Sequence, residues 1–174
     1  GQITALVGPS GGGKRTVANL AAGFYDADSG RISLGGTDIS KVDSVEMMKD
    51  FSVVFQNVVL FNNTVMENIR VGRKNATDKE GIEAAKAANC HEFIEKLPNG
   101  YNTVIGENGS TLSGGECQRL SIDRAPLKDA PVILLDEAIA SLDVDNETKI
   151  QEAISRLIYK GKDSSCYSTQ NENS

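Results

Sequence analysis

Gly8-Pro9-Ser10-Gly11-Gly12-Gly13-Lys14 is the stretch of this sequence with the plainest chemistry. Glycines let a backbone curl until its N–H groups point inward, where they bind phosphate oxygens. A helix beginning at the end of such a loop adds its N-terminal dipole. Lys14 stands at the offset from which an ammonium reaches terminal phosphates. A glycine-rich linker is the bland alternative; an apolar run before, helical spacing after and the placement of the lysine argue against it. A second stretch, VILLDE, ends a hydrophobic run in two carboxylates, Asp136 and Glu137. The first can hold Mg²⁺ directly or through water, and the second can polarise an attacking water. Many buried strands end in acids, so this motif gains meaning only beside the glycine loop. A third, LSGGECQR (Leu112 to Arg119), sets Ser113, Gly114 and Gly115 at a helix start, which is another anion-binding device. One nucleotide rarely needs two such devices in one chain. A head-to-tail pair of chains uses both, each chain's second device closing on the phosphates held by the other's first.

The elements that must position these residues alternate between strand and helix. Ile3 to Val7 reads as a buried strand feeding the loop, and Val17, Leu20 and Ala21 repeat at helical spacing until Gly23. Arg31 to Leu34 reads as an edge strand, Val45 to Asp50 as a short helix and Ser52 to Phe55 as a strand ending at Gln56. Thr64 caps a helix through Ile69, with Glu67 completing a capping box. Asp78 to Leu97 is helical with a break near Asn89, and Gly114 to Ala125 is helical. Val132 to Leu135 is the best central parallel strand, and Asn146 to Tyr159 is amphipathic with Ile150, Ile154, Leu157 and Ile158 on one face. The pattern is α/β: a mostly parallel sheet flanked by helices, a small antiparallel edge and an inserted helical lobe. The expected core is 1–60 and 126–162, the lobe 64–125, and 163–174 is a polar tail without a buried strand.

The motifs, in this order and spacing, resemble the nucleotide-binding domain of ATP-binding cassette (ABC) transporters, a fold of the P-loop NTPase type, over nearly the whole chain to about Lys162. VLFNNTVMENI (Val59 to Ile69) and TVIGENG (Thr103 to Gly109) resemble the exporter subclass, with Glu107 as the acidic residue of its cross-linking loop. The resemblance implies ATP and Mg²⁺ as ligands. It implies that Gly8, Pro9, Ser10, Gly11, Gly12, Gly13, Lys14, Arg15 and Thr16 surround the phosphates, that Gln56 senses the metal and links to the membrane domain, and that Asp136 supports Mg²⁺. Glu137 becomes the general base. Ser113, Gly114 and Gly115 act on the partner's ATP, and Asp143 of SLD belongs to the dimer interface. The implied partners are a second ABC ATPase domain, like or unlike, and a transmembrane domain holding the chain at the cytoplasmic face of the membrane.

The sequence departs from that family at several points. Arg15 stands where members carry Ser or Thr, whose hydroxyl binds Mg²⁺; arginine has no acceptor. Asp123 replaces a small apolar residue, Ile139 a threonine, and Glu116 the commoner glutamine, while Pro126 enters the helix after the signature. After Gly161-Lys162 the family has an apolar strand and a histidine near the γ phosphate; here DSSCYSTQNENS follows, Thr169 falls on the histidine position, and the last core strand is expected to be missing. A permitted back-translation of Lys162 to Ser174, read one base later, spells Lys-Thr-Val-Leu-Val-Ile-Ala-His-Arg-Met-Arg-Thr, which is that strand with its histidine. The chain thus reads as an imperfect copy of an exporter ATPase, cut at both ends and impaired in hydrolysis. The alternative is a nucleotide-binding module that pairs with an intact ABC ATPase without hydrolysing ATP. A chromosome-maintenance ATPase shares the general signature, but the exporter-type segments and the lack of a coiled-coil insertion disfavour it.

Bulk composition excludes other classes. The net charge of −6, without a Lys/Arg cluster, is wrong for a nucleic-acid partner. No apolar run approaches a membrane span. Cys90, Cys117 and Cys166 are odd in number and scattered, which suits free thiols in a reducing cytoplasm better than disulfides or zinc. His91, the one histidine, supports neither a triad nor a histidine-based metal site and reads as a surface or packing residue.

Overall fold

The structure is a computed structural model that describes residues 3–9, 11–55, 58–136, 144–159 and 163–168. Ile3–Val7 forms β1 and Lys14–Ala21 forms α1. Ser33–Leu34 (β2) and Thr37–Asp38 (β3) make a small antiparallel pair, shorter than the edge strand expected from Arg31 onward. Ser44–Met47 is α2, capped by Asp43, whose carboxylate accepts from the amides of Val45 and Glu46; Phe51–Val54 is β4. Four helices follow: α3 (Val65–Arg70), α4 (Asp78–Ala87), α5 (His91–Glu95) and α6 (Gly114–Lys128). Val132–Asp136 is β5, Val144–Tyr159 is α7, and Asp163–Ser168 is β6.

The main sheet has the order β1-β6-β5-β4 with every pairing parallel. The last core strand is therefore present, which corrects the expectation that it is missing. Asp163–Ser168 fills the slot between β1 and β5, pairing Val7 with Ser168 on one side and Asp136 with Tyr167 on the other. Both neighbours present an unpaired row of N–H and C=O groups to that slot, and backbone ladders do not depend on side-chain type. A sequence reading based on apolar runs misses a polar strand held this way. Residues 169–174, with Thr169, lie outside the described residues.

Helix punctuation follows local chemistry, with two revisions. Thr64 Oγ1 accepts from the Glu67 amide at 3.2 Å, but the Thr64 amide donates to Asn63 Oδ1 at 2.8 Å, and the Glu67 carboxylate pairs with Arg70. Full reciprocal capping boxes form instead at Thr77/Glu80 and Ser113/Glu116. The helix after the signature runs through Pro126 to Lys128 rather than stopping at Ala125. Pro126 lies in the last turn, where it has no N–H to give the Ile122 carbonyl but where only two more residues of helix follow. The expected break at Asn89 is real: it adopts φ 56° and separates α4 from α5.

The larger core joins α3, α4, α5, α6 and α7 to one face of β4 and β5, with Ile69, Ile94, Leu120, Ile122, Ile133 and Ile150 almost wholly buried. A smaller cluster, Ala22, Met47, Phe51 and Leu134, lies beside α1 and α2.

Candidate functional site

The glycine loop leaves β1 at Val7 and enters α1 at Lys14. Gly11 and Gly13 have φ of 76° and 79°, the left-handed region that favours glycine. Gly12 donates to the Pro9 carbonyl at 3.1 Å, and a Cβ at Gly12 would meet that oxygen at 2.9 Å. The loop thus curls in a way that side chains at these positions resist. Gly13 caps α1 without a side-chain bond, so the first-turn amides of α1 have no carboxylate or hydroxyl cap from Gly13, and no acid stands in that turn. These are the features of an anion cradle. Lys14 is half-buried and donates from Nζ to the carbonyls of Gly8 (2.6 Å) and Pro9 (2.8 Å), so its ammonium lies over the loop itself. Arg15 and Thr16 are exposed on the first turn of α1. Ser10 lies outside the described residues.

Asp136 is the last residue of β5. Because β1, β6 and β5 are parallel, Val7 and Asp136 end their strands at the same edge of the sheet, two strand spacings or ~10 Å apart. Ligands of open parallel sheets bind outside such strand ends. β4 ends at the same edge one strand further on, so the segment leading to Gln56 starts from that edge too. Gln56, Glu137 and Asp143 lie outside the described residues, as does Ile139. Among the described residues no group of His, Cys, Asp and Glu is arranged to hold a metal.

The second device belongs to the opposite side of the sheet. Ser113, Gly114 and Gly115 head α6, which packs on α3, α4, α7 and β4. β1 and β4 are the two outer strands, three spacings or ~14 Å apart. Ser113 and Gly114 are exposed and Gly115 is buried. The Ser113 hydroxyl and amide both donate to Glu116 Oε2 at 2.8 Å, and the Glu116 amide donates to Ser113 Oγ at 3.3 Å.

The family model for "ABC transporter" matches residues 1–140. The chain belongs to the ABC transporter family. It is 51% identical over 162 residues to the ATP-dependent lipid A-core flippase of Syntrophus aciditrophicus (strain SB), covering 93% of this chain and 27% of the flippase. It is 48% identical over 157 residues to the β-(1→2)glucan export ATP-binding/permease protein NdvA of Agrobacterium fabrum, covering 90% and 27%. The structure of a bacterial Atm1-family ABC exporter with ATP bound overlays 97% of this chain and 29% of its own with a TM-score of 0.87 and 40% identity. This ABC chain therefore spans about a quarter of the length of these exporters and corresponds to their ATP-binding domain. Among the described residues, no helix is long and apolar enough to cross a membrane.

Several residues of the cassette that sequence reading passed over hold the signature helix in place. Asn68 is fully buried; it accepts from the Phe61 amide (2.8 Å) and donates to the carbonyls of Phe61 (2.9 Å) and Thr64 (3.0 Å). Arg124 of α6 donates to the carbonyls of Asn68 (3.0 Å) and Val59 (2.9 Å), so the irregular segment 59–61 is tied to the signature helix. A polar residue at a helical core position was the available signal at Asn68. Asp123 is fully buried, and neither carboxylate oxygen has a hydrogen-bond partner. Burial holds its carboxyl well above the usual range, and the Arg124 charge offsets this only in part. Burial likewise raises the Cys90 thiol, with the Asp123 charge adding to it. His91 packs as expected: its ring is half-buried, with Nδ1 2.9 Å from the Tyr101 hydroxyl.

Proposed function

We propose that this ABC cassette binds and hydrolyses ATP to drive an exporter, working as a head-to-tail pair at the cytoplasmic face of a membrane beside a transmembrane domain. The observation that carries the reading is the separation of the two anion devices, whose helices lie on opposite faces of one parallel sheet. Devices so placed serve one nucleotide most simply when the second comes from another chain. In this reading Gly8 to Gly13, Lys14, Arg15 and Thr16 bind phosphates. Ser113, Gly114 and Gly115 close on the partner's nucleotide, and Asp143 lies in the shared interface. Glu137 takes the proton of the attacking water, and Gln56 senses the metal and links to the membrane domain. The ATP-bound Atm1-family exporter supports the choice of nucleotide.

The fit to Mg²⁺ is poorer than the fit to phosphate. A carboxylate at Asp136 is a suitable hard ligand, with Gln56 the other oxygen donor in this reading. Arg15, however, puts a guanidinium where a metal needs oxygen. That single observation favours a second reading, in which the chain binds nucleotide without hydrolysing it and pairs with an intact cassette.

Binding of ATP to the full chain tests the first step. Lys14→Ala is expected to weaken it by about 10–100-fold, the effect of losing charge-assisted hydrogen bonds to phosphate. Arg15→Ser is expected to make binding depend on Mg²⁺. Unchanged ATP affinity in Lys14→Ala sinks the reading. Hydrolysis that appears only in an equimolar mixture with an intact cassette selects the second one.

A further inference from the structure

The chain between β4 and α3 is held at both ends of a short span. At the start, β4 ends at Val54, which is buried and paired with Leu135 of β5, one residue before Asp136. At the far end, Val59, Leu60 and Phe61 are fixed by polar bonds. The Leu60 carbonyl accepts from the Asn108 amide at 3.1 Å. Both backbone groups of Phe61 go to the fully buried Asn68 side chain. The Val59 carbonyl accepts from Arg124 Nη1 at 2.9 Å. Leu60 is buried, but the side chains of Val59 and Phe61 are exposed, so polar bonds rather than packing fix their peptide groups. Gln56 stands between the two anchors, two residues past Val54 and three before Val59.

Arg124 does more here than a point charge could. Its Nε donates to the Asn68 carbonyl at 3.0 Å, one of the last carbonyls of α3, where helix geometry supplies no internal partner. Its Nη2 lies 3.4 Å from Asn68 Oδ1, and its guanidinium carbon lies 5.9 Å from the centre of the Phe61 ring. Three nitrogens thus serve α3, the Asn68 side chain and the span from one position on α6, which requires a planar fork. We infer that Arg124, with Asn68, is a positioning residue for Gln56: the clamp on Val59 and Phe61 fixes the far end of the span and limits how far Gln56 can stray from the strand ends. The inference rests on the reading above, in which Gln56 acts at the nucleotide. Small misplacements of such a group carry a large cost, even when their origin is remote from the reacting atoms.

A double-mutant cycle on the full chain tests this, with ATP and Mg²⁺ as the probe and equilibrium affinity as the readout, so that turnover is not needed. Gln56→Ala is expected to weaken binding by about 3–10-fold, the scale of one hydrogen bond. Arg124→Lys keeps the charge and loses the fork, and it is expected to weaken binding by the same factor or less. The double variant should bind no worse than Gln56→Ala alone, because the clamp then has nothing to position. A merely structural role lowers the thermal midpoint and gives independent losses, so the double variant falls by the product of the two factors. If Arg124→Lys lacks a cooperative thermal transition, Phe61→Leu takes its place in the cycle. It removes only the exposed ring beside the guanidinium, with an expected loss of about 2–5-fold and the same criteria. Unchanged affinity in the clamp variant, or losses that multiply, overturns the inference alone. Unchanged affinity in Gln56→Ala overturns the role of Gln56 and this inference together, as does absence of ATP binding by the unaltered chain.

Discussion

The two sides of the sheet are built to different standards. On the side of α3 to α7, Val65, Ile69, Ala85, Ile94, Ile105, Leu120 and Ile122 are all essentially inaccessible, and Asn68 and Arg124 stitch the irregular segment 59–61 to the helices. On the side of the glycine loop, Val7 is 74% exposed, Val17 52%, and the buried cluster there has four members among the described residues. The strand between β1 and β5 reads DSSCYS, where a parallel strand covered on both faces ordinarily reads as continuous Val, Ile and Leu. The helical side can therefore hold its shape through side-chain packing. The loop side depends far more on backbone ladders, which are worth only about 1 kcal/mol net per bond.

Exchanging the polar strand is the strongest way to break this contrast. Replacing Asp163–Ser168 by Thr-Val-Leu-Val-Ile-Ala, the residues of the shifted reading frame, keeps six strand positions and makes five of them apolar. Burial of several methylenes at ~0.8 kcal/mol each sets the expected gain at roughly 3–5 kcal/mol. It should appear as a higher denaturation midpoint and as slower amide exchange in β1 and β6, with α3 and α6 little changed. Equal protection of the two sides in the original chain sinks the contrast itself.

Asp123 is the flaw inside the stronger side. An unpartnered carboxyl near Cys90, Tyr101 and Arg124 must stay protonated in the fold or be paid for in desolvation. Its folded pKa is raised above the unfolded value of ~3.9, so the folded chain holds the extra proton. Below pH ~4 both states are protonated and nothing is lost. As pH climbs from there toward the folded pKa, stability falls by up to ~1.4 kcal/mol per pH unit from this group. Asp123→Ala is expected to raise stability at pH 7 by about 2–4 kcal/mol and to remove that slope, because no unpartnered carboxyl is then left to desolvate. Urea unfolding at pH 5 and pH 7.5 measures both effects, and a slope unchanged by the substitution assigns it to other groups.

What the sequence made legible follows from which physical signals are local. The glycine loop, the capping pattern at Ser113, the apolar run of β5 and the break at Asn89 are each readable because a few adjacent residues determine the backbone. The strand at Asp163–Ser168 was not readable, because its reason for existing is the pair of strands on either side. The choice of Asn63 over Glu67 as partner for the Thr64 amide was equally hidden, since Glu67 is drawn to Arg70. The Asn68–Arg124 tie joins residues 56 apart and left no local trace. Of the proposed site, the cradle geometry and the strand-end position of Asp136 are visible in the structure, while Ser10, Gln56, Glu137 and Asp143 lie outside its described residues.

A smaller effect probes how rigid the helical side is. Gly72, just beyond α3, lies so close to α6 that a Cβ there would meet the Arg124 carbonyl oxygen at 2.4 Å and its Cα at 3.0 Å. Gly81, inside α4, would place its Cβ 2.7 Å from Met66 Sδ. The two positions look alike by distance and differ in what blocks them. Helix α6 cannot yield its backbone without moving Leu120 and Ile122, whereas a methionine side chain can change rotamer. Gly72→Ala is expected to cost about 1–3 kcal/mol through overpacking. Gly81→Ala should stay within about 1 kcal/mol of neutral, because the alanine gains 0.5–1 kcal/mol, roughly, of helix propensity against the cost of shifting Met66. Equal losses at both sites, read from denaturation midpoints, would mean that Met66 is as fixed as the α6 backbone. Equal tolerance would mean that α3 and α6 slide past one another, and that the tie from Arg124 to Val59 and Asn68 is adjustable rather than rigid.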